Sequence, residues 1–308
     1  MLELQNVTKI FGPTRAVDDV SFMVPRGSVF GYIGPNGAGK TTSMRILSTL
    51  ELPTSGDAFI EGLSSVNDPD RVRRRLGFMP DAFGSYPDTN CAEYLDFFAR
   101  SNGLVGRERT RRLRWVMDFT GLRNMAEKPI TGLSKGMRQR LCLGRALVHD
   151  PSVLILDEPA AGLDPRARIE LRQIIRALAA EGKTILISSH ILSELAEMCD
   201  RVGIIERGQL LANDTVDGLK SRSQQHREIM LVLSGELPRA IEILTSMDDI
   251  EEVREHAGSI RFKLNGGPPS QTKVLHQLCE AGLPILEYRL LDESLEDLFL
   301  KVTSGQVQ

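Results

Sequence analysis

Nine consecutive residues near the N-terminus constrain the fold of this chain more than any other feature. They are Gly34-Pro35-Asn36-Gly37-Ala38-Gly39-Lys40-Thr41-Thr42, and they fit the pattern G-x-x-x-x-G-K-[ST]. The apolar run from Ser28 to Ile33 before them predicts a buried strand, and apolar residues recur at helical spacing from Thr42 to Leu50. A strand, a glycine-rich turn and a helix in this order predict a phosphate-binding P-loop.

The residue types of the loop explain why it would bind a nucleotide. Glycines at 34, 37 and 39 let the backbone curl with its N–H groups facing inward, where the N-terminus of the following helix also favours an anion. Lys40 is expected to reach the β- and γ-phosphates, and Thr41 to offer its hydroxyl to Mg²⁺. All nine residues are therefore candidate nucleotide-binding residues.

Length, charge and cysteines exclude several classes of protein. A chain of 308 residues suits about two domains. Its net charge of −3 and its 41% hydrophobic residues argue against a disordered chain and against a globally basic nucleic-acid binder. The four widely spaced cysteines form no C-x-x-C pair, so neither a disulfide framework nor a structural zinc site is expected.

The hydropathy pattern predicts no transmembrane segment and no signal peptide. The sequence contains no apolar stretch of the roughly 20 residues that a membrane-spanning helix needs. The N-terminus lacks the basic and apolar regions of a secretory leader. A location in the reducing cytosol is expected, and any work at a membrane would require a membrane partner.

The first two thirds of the chain predict an α/β fold. Leu2 to Val24 alternates around a turn at Gly12-Pro13, which indicates antiparallel strands. The short apolar runs 153–156 and 184–188 flank a helical stretch at 165–181, which is the pattern of a buried parallel sheet. Residues 82–147 read as a helical insertion. We expect a mostly parallel sheet flanked by helices, with an antiparallel β subdomain, over residues 1–219.

A second, smaller domain is predicted after a polar linker at residues 220–227. Its elements follow the order βαββαβ, which indicates a small ferredoxin-like α+β domain over residues 228–304, before a short tail at 305–308. The expected elements are strand 228–233, helix 238–247, the hairpin 250–256 and 259–264, helix 271–281, strand 284–290 and a closing amphipathic helix from Ser294 to Val302.

Two adjacent carboxylates are the candidates for binding Mg²⁺ and activating water beside the phosphates. Asp157 and Glu158 come directly after four apolar residues, the arrangement of a Walker B motif. Asp157 is expected to hold Mg²⁺ through a water molecule, and Glu158 to polarise the water that attacks the γ-phosphate.

The segment Leu133-Ser134-Lys135-Gly136-Met137-Arg138-Gln139-Arg140 resembles the signature of the ABC (ATP-binding cassette) ATPases. Ser134 and Gly136 match that signature, whereas Lys135 and Met137 replace a glycine and a glutamine. Other matches follow in the family's order: Asp164 in a D-loop, His190 as the switch histidine, and Phe11 where the family more often stacks a tyrosine on adenine.

The resemblance implies a shared catalytic centre. In the family, the signature serine and its helix face the γ-phosphate of ATP held by the other cassette of a head-to-tail pair. This chain would then work as a homodimer, or as a dimer with a related cassette. Glu158, His190 and Lys40 would be its catalytic residues, with Ser134, Gly136 and Asp164 serving the partner's ATP.

One position departs from the family pattern in charge and in length. Asp81 stands where most cassettes carry the Q-loop glutamine, which assists at Mg²⁺ and links the site to the membrane partner. Aspartate is shorter and negatively charged, so it would approach the metal through a water molecule. We expect an active site with altered coupling.

The C-terminal unit indicates which subfamily of ABC ATPases the chain resembles. Its end, Ser294-Leu295-Glu296-Asp297-Leu298-Phe299-Leu300, looks like the extension of bacterial ABC-2 type exporter ATPases. The expected function is ATP hydrolysis coupled to export by a separate membrane permease, on the inner face of the cell membrane. Two alternatives remain open at this stage: a non-transport ABC ATPase acting on ribosomes or DNA, and a regulatory module that hydrolyses little ATP.

Overall fold

The chain divides into two compact units, which are described separately. The structure, a computed structural model, describes residues 1–81, 84, 88–191, 195, 197–218, 226–256 and 258–291, with backbone only at 226 and 227. The first unit contains Met1–Val216, and the second contains the described residues from Asp217 onward. Among the described residues, we find no helix with the length and hydrophobicity to cross a membrane.

A mostly parallel sheet forms the centre of the first unit. Its strand order is β10-β9-β3-β8-β7-β6. The five strands from β9 to β6 pair in parallel, and β10 pairs antiparallel with β9 at one edge. The strands are β3 (Val29–Ile33), β6 (Leu76–Met79), β7 (Val153–Leu156), β8 (Thr184–Ser189), β9 (Arg201–Glu206) and β10 (Gln209–Thr215).

The central strands are apolar because both faces of this sheet are covered. Every residue of β3, β7 and β8 is buried. Such strands read as continuous apolar runs rather than alternating ones. Parallel strands also bring their carboxyl ends to one edge of the sheet, and the loops after β3, β7 and β8 carry Lys40, Glu158 and His190.

A second sheet of the first unit is antiparallel, with order β2-β1-β4-β5. The β1–β2 hairpin turns at Gly12-Pro13, as the alternating pattern predicts. The strands are β1 (Leu2–Phe11), β2 (Thr14–Val24), β4 (Ser55–Ile60) and β5 (Leu63–Ser64). Buried residues from this sheet and from β3 share one core, in which the rings of Phe22 and Phe30 stack 5.0 Å apart.

The described part of the first unit includes six α-helices of five or more residues beside these sheets. Their bounds are α1 (Lys40–Leu47), α2 (Pro69–Arg73), α3 (Cys91–Ser101), α4 (Gly106–Phe119), α5 (Lys135–Leu147) and α6 (Pro165–Ala180). Polar side chains define where three of them begin. Asn90 and Glu93 form a reciprocal capping box at the start of α3, and Ser134 and Asp164 cap α5 and α6.

The second unit has the predicted ferredoxin-like arrangement. The elements are β11 (His226–Leu233), α7 (Leu237–Thr245), β12 (Ile250–His256), β13 (Ser259–Asn265), α8 (Pro268–Glu280) and β14 (Ile285–Leu291). All pairs in the sheet are antiparallel, with order β12-β13-β11-β14. A core of its own, centred on residues such as Phe262 and Leu231, packs the helices against the sheet.

The α/β fold class predicted from the sequence is confirmed, with local differences. Helix α1 begins at Lys40, as predicted, whereas α8 begins at Pro268 rather than Gln271, because proline is compatible with a first helical turn. Strands β5, β6, β9 and β10 were not predicted. The closing helix expected at 294–302 lies outside the described residues.

Candidate functional site

The P-loop lines an open cavity of about 340 Å³ in the first unit. This volume lies within the range of small-molecule sites. The predicted site residues that line it are Phe11, Asn36, Gly37, Ala38, Gly39, Lys40, Thr41, Thr42, Asp81 and Glu158. The fold therefore brings together residues from β1, from the loop after β3, from the end of β6 and from the end of β7.

The backbone of the loop needs its glycines. Gly37 and Gly39 have φ angles of +80° and +104°, in the left-handed region that favours glycine. A Cβ atom at Gly39 would overlap the carbonyl oxygen of Ala16, and one at Gly34 would overlap that of Ile205. Larger side chains at these positions would distort the curled loop.

The helix that follows the loop leaves its first N–H groups free for an anion. Helix α1 has no side-chain cap and no acidic residue in its first turn among the described residues. Unsatisfied N–H groups and the helix dipole both favour negative charge at this end. The loop and α1 thus form an anion site.

Lys40 is held inside the loop that carries it. Its side chain is only 6% exposed, and Nζ donates hydrogen bonds to the carbonyl oxygens of Gly34 at 2.6 Å and Pro35 at 3.2 Å. The same ammonium lies 3.4 Å from Glu158 Oε1. Phosphate oxygens could replace these carbonyl partners without moving the cation out of the loop.

Glu158 joins Lys40 to His190. Its Oε2 lies 2.9 Å from His190 Nδ1, and its Oε1 is buried and accepts no hydrogen bond from the described residues. The backbone at Glu158 has φ = +48°, which is uncommon for a residue other than glycine. Its N–H donates to Ser188 Oγ at 2.8 Å, which helps to hold the strained turn. The oxygen that faces the Lys40 ammonium at 3.4 Å is therefore left without a hydrogen bond in the described part of the chain.

Asp157 lies deeper, at 1% exposure. Ser188 Oγ donates to Asp157 Oδ1 at 2.7 Å. Burial raises the pKa of Asp157, hydrogen bonds from Ser188 and Thr41 oppose this shift, and the charges of Asp81 and Glu158 add to it. Asp81, Asp157 and Thr41 therefore lie in one neighbourhood, and all of them offer oxygen ligands.

Three other predicted site residues line a separate cavity of about 170 Å³. Ser134, Gly136 and Asp164 are among its lining residues, and the two cavities share none. Within this chain Ser134 and Asp164 act as helix caps, accepting from Met137 N at 3.3 Å and Ala167 N at 2.8 Å. The structure thus groups the predicted residues into two clusters within the chain.

The comparisons with known proteins decide the family. The ABC transporter family matches residues 17–161. The chain is 36% identical over 307 residues to the bacitracin transport ATP-binding protein BcrA of Bacillus licheniformis, spanning 99% of this chain and 98% of the relative. This chain belongs to the ABC transporter ATP-binding protein family. It is therefore an ATP-binding protein of the ABC ATPase class.

Further relatives and solved structures agree with this assignment. The ABC chain is 30% identical to the linearmycin resistance ATP-binding protein LnrL of Bacillus subtilis, over 98% of both chains. A structure described as the ATP-binding subunit of an ABC transporter matches with a TM-score of 0.66 and 30% identity, covering 73% of this chain and 93% of that one. A dimeric ATP-binding cassette in a post-hydrolysis state, bound to ADP and Pi, matches with a TM-score of 0.64 and 25% identity, covering 70% and 99%.

Ser188 is a site residue of this ABC ATPase that the sequence did not single out. Its hydroxyl contacts both Asp157 and the backbone of Glu158. Its position at the end of β8 was the sequence feature that could have identified Ser188 as a site residue, because β8 pairs in parallel with β7. Adjacent parallel strands end side by side, so a polar residue ending β8 is expected near the carboxylates that follow β7.

Replacement of Ser188 by alanine is expected to destabilise the first unit by about 2 kcal/mol. The change leaves a buried carboxylate oxygen and a backbone N–H without their partner. Urea denaturation of the full chain would measure this loss. Ser28→Ala is the matched control, because its hydroxyl donates only to Pro25 O at 2.8 Å near the surface. Equal losses in the two variants would contradict the importance of the Ser188 contacts.

Proposed function

We propose that this chain is the ATP-hydrolysing subunit of a bacterial exporter, in which a separate membrane permease carries the substrate. The main supporting observation is that Glu158, which lines the P-loop cavity together with Lys40, lies 3.4 Å from the Lys40 ammonium and 2.9 Å from His190 Nδ1. Curated relatives support the transport role. They include the bacitracin transport protein already described and the Nod factor export ATP-binding protein I of Ralstonia nicotianae, which is 33% identical over 100% of this chain and 95% of the relative.

Each residue of this cluster has a distinct part in hydrolysis. Lys40 exchanges its bonds to the carbonyls of Gly34 and Pro35 for bonds to the β- and γ-phosphates, where it balances negative charge. Glu158 accepts a proton from the attacking water through Oε1, the oxygen without a hydrogen bond. His190 holds the other oxygen, Oε2, and so orients the carboxylate.

The residues around Asp157 suit a magnesium ion. The Thr41 hydroxyl and the carboxylates of Asp157 and Asp81 supply the hard oxygen ligands that Mg²⁺ prefers. Burial raises the pKa of Asp157, and the charges of Asp81 and Glu158 add to that shift, so a bound cation would stabilise the ionised carboxylate. Thr41 and Asp157 would hold the ion, and Asp81 would contact it through water. Bound Mg²⁺ neutralises charge on the β- and γ-phosphates.

A head-to-tail dimer explains the second cluster of site residues. Ser134, Gly136 and Asp164 line a cavity that shares no residue with the P-loop cavity of the same chain. They would therefore act on ATP held by another chain, a homodimer partner or a related cassette. The dimeric cassette among the similar structures supports this arrangement. ATP would close the pair, and hydrolysis would release it.

The test of this proposal is an ATPase assay of the purified chain, alone and in proteoliposomes with its membrane subunit. Light scattering with and without ATP would follow dimer formation. Hydrolysis that the membrane subunit stimulates is expected. A chain that binds ATP but hydrolyses none in either setting would favour the regulatory alternative, and stimulation by ribosomes or DNA instead would favour a non-transport role.

Asp81 is expected to affect coupling more than chemistry. Asp81→Gln introduces the glutamine that most cassettes carry at this position and so restores its side-chain length. Asp81→Asn removes only the negative charge. Because Asp81 is exposed at the cavity, we expect Asp81→Gln to change permease-stimulated ATPase by several-fold and basal ATPase by less than about twofold. The ratio of the two rates is the measurement. Equal changes in both rates would show that Asp81 acts on hydrolysis itself.

A further inference from the structure

Lys9 lies against the ring of Phe11 and is itself firmly held. Its Nζ is 4.8 Å from the centroid of the Phe11 ring, within the range of a cation–π contact. The same ammonium donates to the carbonyl oxygen of Leu52 at 2.7 Å and pairs with Glu51 Oε1 at 2.8 Å. The side chains of Lys9 and Glu51 are only 14% and 26% exposed. Three partners therefore fix one ammonium group.

The partners of Lys9 belong to the end of the P-loop helix. The backbone N–H of Glu51 donates to the carbonyl oxygen of Arg45, in the last turn of α1, at 3.2 Å. Helix α1 begins at Lys40, inside the nucleotide cavity. Lys9 thus connects the strand that carries Phe11 to the helix that carries the phosphate site.

Phe11 has one ring face toward the cation and remains 45% exposed, a large fraction for an aromatic side chain. It lines the same cavity as Lys40 and Thr41. An aromatic ring has two faces on which other groups can stack, and Lys9 occupies one of them. The other face is then available to a base whose phosphates lie in the loop.

We propose that Lys9 is a positioning residue for the nucleotide base. It holds one face of Phe11, and through Glu51 and Leu52 it sets the place of that ring relative to the P-loop helix. The base would stack on the opposite face. This inference rests on the proposed ATP site, and it adds a residue that contacts neither the phosphates nor the metal.

The test compares ATP with tripolyphosphate, which carries phosphates but no base. Calorimetric titration of the full chain would measure both affinities. Lys9→Met is expected to weaken ATP binding about two- to fivefold and to leave tripolyphosphate binding unchanged. In the ATPase assay, KM should rise by the same factor while kcat at saturation stays constant. Lys9→Arg keeps a cation over the ring and should bind ATP like the wild type.

A double-variant comparison separates positioning from general electrostatics. If Lys9 acts through Phe11, the pair Lys9→Met with Phe11→Ala should bind ATP no more weakly than Phe11→Ala alone. Arg15→Met is the matched control, because Arg15 is a cation of the same hairpin that pairs with Asp18 at 2.7 Å. Additive losses, an equal loss for tripolyphosphate, or an equal loss in Arg15→Met would overturn the inference.

The two proposals fail in different ways. A wild-type chain that binds neither ATP nor tripolyphosphate would contradict the proposed function, and this inference with it. A wild-type chain that binds both, together with a folded Lys9→Met variant of unchanged ATP affinity, would contradict only the role of Lys9. Thermal unfolding of each variant shows that it is folded.

Discussion

Replacement of Glu158 by glutamine is expected to lower kcat for ATP hydrolysis at least about 100-fold while ATP binding is retained. The amide keeps the size of the side chain but cannot accept the proton of the attacking water, a contribution of about 10²- to 10⁴-fold in catalysis. Lys40 keeps its hydrogen bonds to the carbonyl oxygens of Gly34 and Pro35, so the phosphate site should remain. Phosphate release at saturating ATP measures the first effect, and calorimetric titration the second.

The same variant tests the proposed dimer. Because hydrolysis would open the pair, Glu158→Gln with ATP should accumulate as a dimer that light scattering detects. Glu61→Gln is the matched control, since that carboxylate pairs with Arg75 at 3.2 Å and does not line the cavity. Unchanged turnover in Glu158→Gln would remove Glu158 from the role of general base.

Replacement of Lys40 by methionine is expected to weaken ATP binding about 10- to 100-fold. Methionine fills a similar volume but removes the ammonium that is 6% exposed within the loop. A charged hydrogen bond contributes about 1.5–3 kcal/mol, which corresponds to this range of affinity. Titration with ATP measures the loss, and tripolyphosphate should lose affinity in parallel because Lys40 acts on the phosphates.

The control for Lys40 lies on the same helix. Arg45 is exposed in the last turn of α1, so Arg45→Met removes an equal charge away from the loop. This variant should bind ATP within about twofold of the wild type, as expected for a solvent-exposed charge. If both variants lost affinity equally, the effect would reflect the charge of the helix and not the position of Lys40.

The order of elements was predictable where the pattern along the chain is strong. The continuous apolar runs of β3, β7 and β8 indicate buried parallel strands, and the alternation in β1 and β2 indicates an antiparallel pair. In the second unit the order βαββαβ is confirmed, and so is its ferredoxin-like sheet. These patterns are visible in the sequence because the order of apolar and polar residues reflects which side chains of each strand or helix are buried.

Other strands are not predictable from the sequence pattern alone. Strand β6 has only four residues, too few for a clear periodic pattern. Strand β9 contains an apolar run, Val202 to Ile205, but β10 alternates intermediate and exposed residues. An edge strand buries too little to leave a clear pattern. The turn at Arg207-Gly208, with Gly208 at φ = +81°, connects these two strands, and the glycine is the sequence feature that indicates a hairpin.

The sequence by itself determined the chemistry of this protein: a P-loop for phosphates, two carboxylates after a buried strand, and a histidine after another. Those features can be recognised from the sequence because each motif lies within one short stretch of the chain. Only the tertiary structure decided that Ser188 supports Asp157, that Lys9 holds Phe11, and that the signature residues lie in a cavity apart from Lys40. These contacts depend on which strands and helices pack side by side, because packing brings together residues that are distant in the chain.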